Sequence, residues 1–262
     1  MDLALPLPAS ARFSALLHLD APLGPLAFVD ESRGSPFQDY RHGAAQSGGH
    51  VFTPSTLGAA SGPSMRSPGH PGKVRFPGAA ARFTGAAGQY IDTPDSPDWD
   101  LSSGDATVHY WIFLEALAAF SAVMGQNRAT ADGQWFHYYY ADGRVAVGVS
   151  GVNEIATAAG VMTAGALHHV AITMSGTTVR IFVDGVQQAS ATTAVFNNSA
   201  NSFRVGANNP AENAPNGWMQ ELAIIKGYAR WTASFAAALP QVRETVVKDL
   251  EWRAALAAGL RA

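Results

Sequence analysis

The sequence predicts an all-β protein, a two-sheet antiparallel jelly-roll sandwich with a short C-terminal α-helix, and three observations predict it. From Ala166 to Ser190, Val170, Ile172 and Met174 alternate with Ala171 and Thr173, and Val179, Ile181 and Val183 alternate with Arg180 and Phe182. That period of two marks half-buried strands, and Ser175-Gly176-Thr177-Thr178 and Asp184-Gly185 between and after them are turns, the second suited to a type I′ hairpin. Gln134–Tyr140 and Val145–Val149 form a second hairpin pattern around Ala141-Asp142-Gly143-Arg144. Turn signals then recur about every ten residues along the chain, the spacing of a sandwich rather than of β/α units.

Taken in order, residues 1–12 read as an N-terminal arm, 13–240 as the sandwich and 241–262 as an amphipathic helix. Phe13–Asp20 is a first strand, closed by Pro22 and Gly24, and Asp30–Gly49 is turn-rich. Pro54–Gly72, with Gly58, Gly62, Pro63, Pro68, Gly69, Pro71 and Gly72, is expected to be one long surface loop without regular structure. Val74–Phe76, Ala81–Phe83 and Gln89–Asp92 are short strands, and Asp92–Leu101 is an acidic loop stiffened by Pro94 and Pro97. Ala106–Phe113 is rich in aromatic and β-branched residues and reads as a strand. Glu115–Met124 fits either a helix, by its Ala and Leu content, or a strand with a loop. Ser202–Gly206 and Trp218–Lys226 are strands flanking an Asn/Pro/Gly loop at Asn208–Gly217. Pro240 then precedes Val242, Val246, Leu250, Leu256 and Leu260 at helical spacing, a face expected to dock on the sandwich, on a second copy or on a larger assembly.

Composition narrows the function classes. Apolar residues make up 47% of the 262 residues, but charged residues only 14%, against about 25% in typical proteins. Such a surface suits packing against neighbours. A net charge of −3 with no basic patch argues against nucleic acid or an anionic membrane as partner. The lack of Cys removes disulfides, thiolate catalysis and cysteine zinc sites. The opening Met-Asp-Leu-Ala-Leu-Pro-Leu-Pro has no positive region, so no signal peptide is expected. No apolar run is long enough to span a bilayer, and a soluble protein is the expectation.

No catalytic constellation emerges. A retaining glycosidase needs two carboxylates about 5 Å apart, and the Glu-x-Asp-x-x-Glu pattern that would supply them on a sheet face is missing; Glu115, Glu154 and Glu221 stand alone. His168 and His169 are neighbours on a strand, so they face opposite ways and cannot chelate one ion; a structural role is expected. Calcium is the cofactor candidate, since Asp95, Asp98 and Asp100 crowd one loop. Turn-capping is the alternative for these three. For a sugar or protein ligand, Trp135, Tyr138, Tyr140, Trp218 and Trp231 offer aromatic surface, and Asn208, Asn209, Asn213 and Asn216 offer donors and acceptors. Core packing is the competing role for the aromatics.

Several segments together resemble the laminin-G-like, concanavalin-A-like jelly-roll domains, in the short form common in bacteriophage structural proteins. They are Leu16–Asp20, Asp30–Ser32, Ala81–Gly85 with Gln89–Ile91, Asp92–Asp100, Tyr110-Trp111, Leu167–Ala171, Ile181–Gly185, Phe203–Gly206, Gly217–Leu222 and Gly227–Phe235. They run in order through about residues 14–240; Leu167 stands where that family often has Trp. The resemblance implies a two-sheet sandwich but not one function, because the fold hosts lectins, glycosidases and spacers. Two functions are therefore expected of the chain, and they are compatible. One is a non-enzymatic structural subunit of a virion, tail- or baseplate-associated or capsid-decorating, whose partners are other virion proteins or a second copy. The other is an adhesion module that binds host-surface glycans.

Overall fold

The computed structural model describes residues 80–118, 120–126, 135–149, 153–207 and 213–236, together with the backbone of four earlier strands. In chain order the strands are β1 (Arg12–Leu17), β2 (Phe28–Val29), β3 (Val51–Pro54), β4 (Ser64–Arg66), β5 (Ala80–Thr84), β6 (Ile91–Thr93), β7 (Ala106–Ala116) and β8 (Phe120–Gln126). They continue as β9 (Phe136–Tyr140), β10 (Val145–Val149), β11 (Asn153–Ala156), β12 (Leu167–Ser175), β13 (Thr178–Val183), β14 (Val186–Ala191), β15 (Phe203–Val205) and β16 (Asn216–Lys226). All pair antiparallel in two sheets. The first has the order β14-β13-β12-β7-β16-β5-β4, and the second β11-β10-β9-β8-β15-β6-β3-β2. β1 joins the first sheet against Leu222–Lys226 of β16, while β5 takes Asn216–Met219 on the same strand.

This is the all-β jelly-roll sandwich expected, with the meander of β12, β13 and β14 where the alternation placed it. Val170, Ile172, Met174, Val179 and Ile181 face the second sheet in one core with Val108, Tyr110 and Ile112 of β7. The turn after β13 has Asp184 at φ 51° and Gly185 at φ 80°, the left-handed pair a type I′ turn requires. Within Glu115–Met124, Glu115 and Ala116 end β7 and Phe120–Met124 belong to β8, with Leu117 and Ala118 between them outside the strands. Ala116 pairs with Asn216 of β16 and Ala122 with Tyr138 of β9, and this pairing outweighs helix propensity. One expectation changes, and one strand is new. Pro54–Gly72 is not wholly irregular, because Ser64–Arg66 forms β4 and pairs with Ala80–Arg82. β11 carries no strong sequence pattern, yet it closes the edge of the second sheet against β10.

β16 departs from simple alternation. Met219 and Leu222 both enter the core although three residues apart. The register against β7 shifts between Gln220 and Ala223, and Glu221 adopts φ 53°. A bulge absorbs the extra residue and keeps both halves of the strand facing the core. Between the sheets, the Tyr110 hydroxyl of β7 bonds His137 Nε2 and the Tyr139 hydroxyl of β9, and His137 Nδ1 donates to the Ala146 carbonyl at 2.9 Å. These polar groups satisfy one another inside the sandwich. Among the described residues no helix is long and apolar enough to cross a membrane. The arm at 1–11, Val74–Phe76 and the helix face Val242, Val246, Leu250, Leu256 and Leu260 lie outside the described residues.

Candidate functional site

Because His137 and Tyr139 point inward, strand alternation sends Phe136, Tyr138 and Tyr140 to the outer face of the second sheet. There Phe136 stacks on Tyr138 with ring centroids 5.0 Å apart, Tyr140 meets Tyr138 edge-on at 5.2 Å, and Phe120 of β8 packs on Tyr138 at 4.8 Å. Phe136 lies flat across β10: a Cβ on Gly148 would come within 2.1 Å of the Phe136 ring, so glycine is what lets the aromatic ring seat there. From β11, Glu154 Oε2 accepts the Tyr138 hydroxyl and the Tyr140 hydroxyl, the latter at 3.0 Å. Burial pushes the Glu154 carboxyl above its ordinary value. Arg144 stacks over Tyr140, 4.2 Å from the ring centroid, and is held by Asp142 Oδ2 at 2.9 Å. The face thus combines half-buried aromatic surface with a carboxylate and phenol hydroxyls, apolar and polar groups within one patch.

The residues singled out from the sequence divide. Tyr138 sits at the centre of this patch, 3% exposed beneath its neighbours. Trp135, two strand positions short of His137, shares its inward parity and is fully buried, 5.4 Å from Phe196 and 5.7 Å from Phe203. Its position is in the core rather than on a ligand surface. Asn213 is exposed, and its carbonyl accepts from Ala122 N at 3.0 Å. Ala122 is the cross-strand partner of Tyr138, so this segment reaches the same sheet beside the aromatic patch. Asn216 belongs to the other sheet, where its Oδ1 accepts from Arg82 at 2.9 Å within a group that includes Glu115 and Trp218. Asn208 and Asn209 lie outside the described residues.

Of the three aspartates proposed for calcium, Asp98 lies in the turn at 97–99 and Asp95 and Asp100 flank it. Asp100 Oδ1 accepts from Ser102 N at 3.0 Å. Partial burial raises the Asp100 carboxyl, but its bonds from Ser102 outweigh that, and the net shift is downward. Asp98 is buried, with its amide directed to Ser96 Oγ at 3.3 Å. Asp95 Oδ1 accepts from Gln126 Nε2 at 3.1 Å, and the same amide nitrogen also reaches the Ser199 carbonyl at 2.9 Å. Gln126 Nε2 thus binds one of the three carboxylates, that of Asp95. No group of three His, Asp or Glu side chains arranged to hold a metal occurs among the described residues.

His168 and His169 take the structural roles expected of opposite faces. His168 Nδ1 pairs with Asp184 Oδ2 at 2.7 Å, and Asp184 Oδ1 accepts from His169 N at 2.9 Å. One carboxylate thus ties the start of β12 to the turn that follows β13. Burial would raise Asp184, but the bonds from His168 and His169 N lower it overall. The residues that sequence reasoning missed are Phe120, Phe136, Gly148 and Glu154. Phe136 shares the strand parity of Tyr138 and Tyr140, a signal that was present; Glu154 had none, because β11 is too short to show a period.

The fold has counterparts among known proteins. The family profile described as the concanavalin A-like lectin/glucanases superfamily, laminin G type, matches residues 84–230. With more than half of the chain covered, the protein belongs to that family. Among solved structures, the chain is similar to domain 4 of a GH43 extracellular arabinanase from Geobacillus stearothermophilus in complex with arabinotriose. The two share 18% identity and a TM-score of 0.56, over 84% of this chain and 95% of that one. It is similar also to the binding domain of Paraclostridial Mosquitocidal Protein 1, at 10% identity and a TM-score of 0.55, covering 87% of this chain and 50% of that one. The binding domain of botulinum neurotoxin serotype D gives 8% identity and a TM-score of 0.52, over 91% of this chain and 51% of that one. The chain thus spans about half the length of these two toxin domains. No curated protein sequence matches. At these identities the structures show a shared lectin-like sandwich.

Proposed function

We propose that the protein is a non-catalytic carbohydrate-binding module whose ligand surface is the outer face of β8–β11. The observation that carries this reading is the convergence of the Tyr138 and Tyr140 hydroxyls on Glu154, beside the rings of Phe120 and Phe136. A sugar ring has an apolar face that stacks on aromatic surface and hydroxyls that want fixed acceptors and donors, and this patch offers both. The arabinotriose held by the similar arabinanase domain supports the class of ligand. Host-surface glycans are the proposed target. A glycan array followed by calorimetry on the full chain tests it: micromolar binding, lost in Tyr140→Ala, is expected. Silence across neutral and acidic glycans would overturn the reading.

A place in a virus particle is the second reading. The low charge and the helical spacing of Val242, Val246, Leu250, Leu256 and Leu260 support it. Deleting residues 241–262 should abolish incorporation into particles or oligomerisation; unchanged behaviour would remove it.

A further inference from the structure

The outer face of the first sheet carries a different arrangement, which the glycan reading does not use. His109 of β7 and His169 of β12 alternate with core residues and so point outward, with His169 Nε2 and His109 Nδ1 3.5 Å apart. Both are buried, at 4% and 0% exposure. Their remaining nitrogens, His109 Nε2 and His169 Nδ1, have no hydrogen-bond partner among the described residues. Trp111 of β7 lies beside His169 at 4.9 Å, and the segment after β16 covers both rings. Trp231 meets both imidazoles edge-on, at 5.4 and 5.8 Å, and stacks on Phe235 at 4.2 Å, while Phe235 meets His169 at 6.0 Å. The segment is fastened by a few bonds: Thr107 Oγ1 to the Tyr228 carbonyl, Arg230 N to Thr107 Oγ1, Thr173 Oγ1 to the Trp231 carbonyl and Phe235 N to the Gly185 carbonyl, each 2.8 Å. The β7–β12 ladder beneath is continuous from Leu167↔Phe113 to Met174↔Ala106.

We propose that residues 228–235 form an acid-released strap, held closed only while the His109–His169 pair beneath it is uncharged. A proton on either ring would place a cation against its neighbour where neither remaining nitrogen, His109 Nε2 nor His169 Nδ1, has an acceptor. The charged and titratable groups around the pair do not reverse this. The strap brings Tyr228 and the half-buried Arg230, whose charge opposes another cation. β13 carries Arg180, and β16 carries Lys226, whose Nζ donates to the Pro97 carbonyl at 2.8 Å, and the buried Glu221 at its bulge. The Asp184 carboxylate, from the turn after β13, is already engaged by His168 Nδ1 and His169 N. Burial holds His169 down to about 3 against the opposing pull of Asp184. His109 lies well below the ordinary imidazole value through burial, His169 and Arg230. Lifting the strap wets both rings, so each pH unit below about 6.5 favours opening by up to about ten-fold per imidazole released. The sandwich ladder, which contains neither ring in its core, stays closed.

Hydrogen exchange on the full chain, corrected for the intrinsic pH dependence of exchange, tests this. Between pH 6.5 and 5, protection at Arg230 N and Phe235 N should fall by at least about ten-fold per pH unit, while the Val108 and Val170 amides stay protected. Unchanged strap protection would overturn the proposal, and so would loss in step with Val170. In His169→Phe the pH slope at the strap should be about halved; an unaltered slope would also count against it. The wild-type exchange profile decides the matter if that variant does not fold. Glycan binding lies on the opposite sheet, so failure here leaves that reading untouched.

Discussion

On the outer face of the first sheet, Trp231 and Phe235 arrive from a segment laid across the strands and cover two imidazoles. On the outer face of the second sheet, Phe136, Tyr138 and Tyr140 belong to a strand and pack beside one another without such a cover among the described residues. The polar groups differ in the same sense. His109 and His169 are sealed with nitrogens left unpaired, whereas Glu154 and the tyrosine hydroxyls satisfy one another at a half-buried surface. Burying polar atoms without partners costs stability and makes the cover sensitive to charge, while a satisfied aromatic-polar patch can meet a ligand without rearranging. One fold therefore separates the face that is closed from the face that is available.

Acid should produce the largest effect, and it acts on the closed side and the core. His137 is held to about 4 and His169 to about 3, mainly by burial, and His109 is shifted the same way. These folded-state values lie below the ordinary imidazole value, so the unfolded chain binds protons that the folded chain does not. Their contribution is complete above about pH 6.5 and is lost as pH falls toward about 4. At pH 5, urea unfolding should show a loss of about 2 kcal/mol for each of His137 and His169 relative to pH 7. A flat profile over that window would show that these rings are accessible. Trp231→Ala comes next. It should cost about 3–5 kcal/mol in the same assay and leave glycan affinity within about two-fold. A loss of glycan binding at unchanged stability would reverse the assignment of the two faces.

On the available side the effects on stability are smaller and those on binding larger. Gly148→Ala puts a Cβ into the Phe136 ring. It should cost about 1 kcal/mol and weaken glycan binding by about ten-fold, because the ring must leave its seat. Tyr140→Phe removes one hydroxyl from Glu154. It should change stability by less than about 1 kcal/mol, with a measurable fall in affinity by calorimetry. Equal affinity in both variants would move the ligand surface elsewhere.

The sandwich was legible because its signals are local. Alternation at Val170–Met174, the Asp184-Gly185 turn and the Asp142-Gly143 hairpin each reflect backbone geometry that one stretch of chain encodes alone. The candidate site was legible only in part. Tyr138 could be picked out as aromatic, but whether it or Trp135 faced outward depended on where β9 begins, and a shift of one residue exchanges the two faces. Glu154 joins the patch through the pairing of β11 with β10, a contact between chain segments that no window of sequence contains. The strap shows the same limit. Trp231 and Phe235 look like ordinary aromatics after a strand, and only the sheet topology sets them over His109 and His169.

The most direct test of the account is a footprint of bound glycan, read as amide chemical-shift changes or exchange protection on the full chain at pH 7 with the best ligand from the array. The account predicts changes clustered on Phe120–Ala122, Phe136–Tyr140, Val145–Val149 and Asn153–Ala156, with His109, His169 and residues 228–235 unmoved. A footprint centred on β7, β12 and the strap, with β9 and β11 silent, would contradict it.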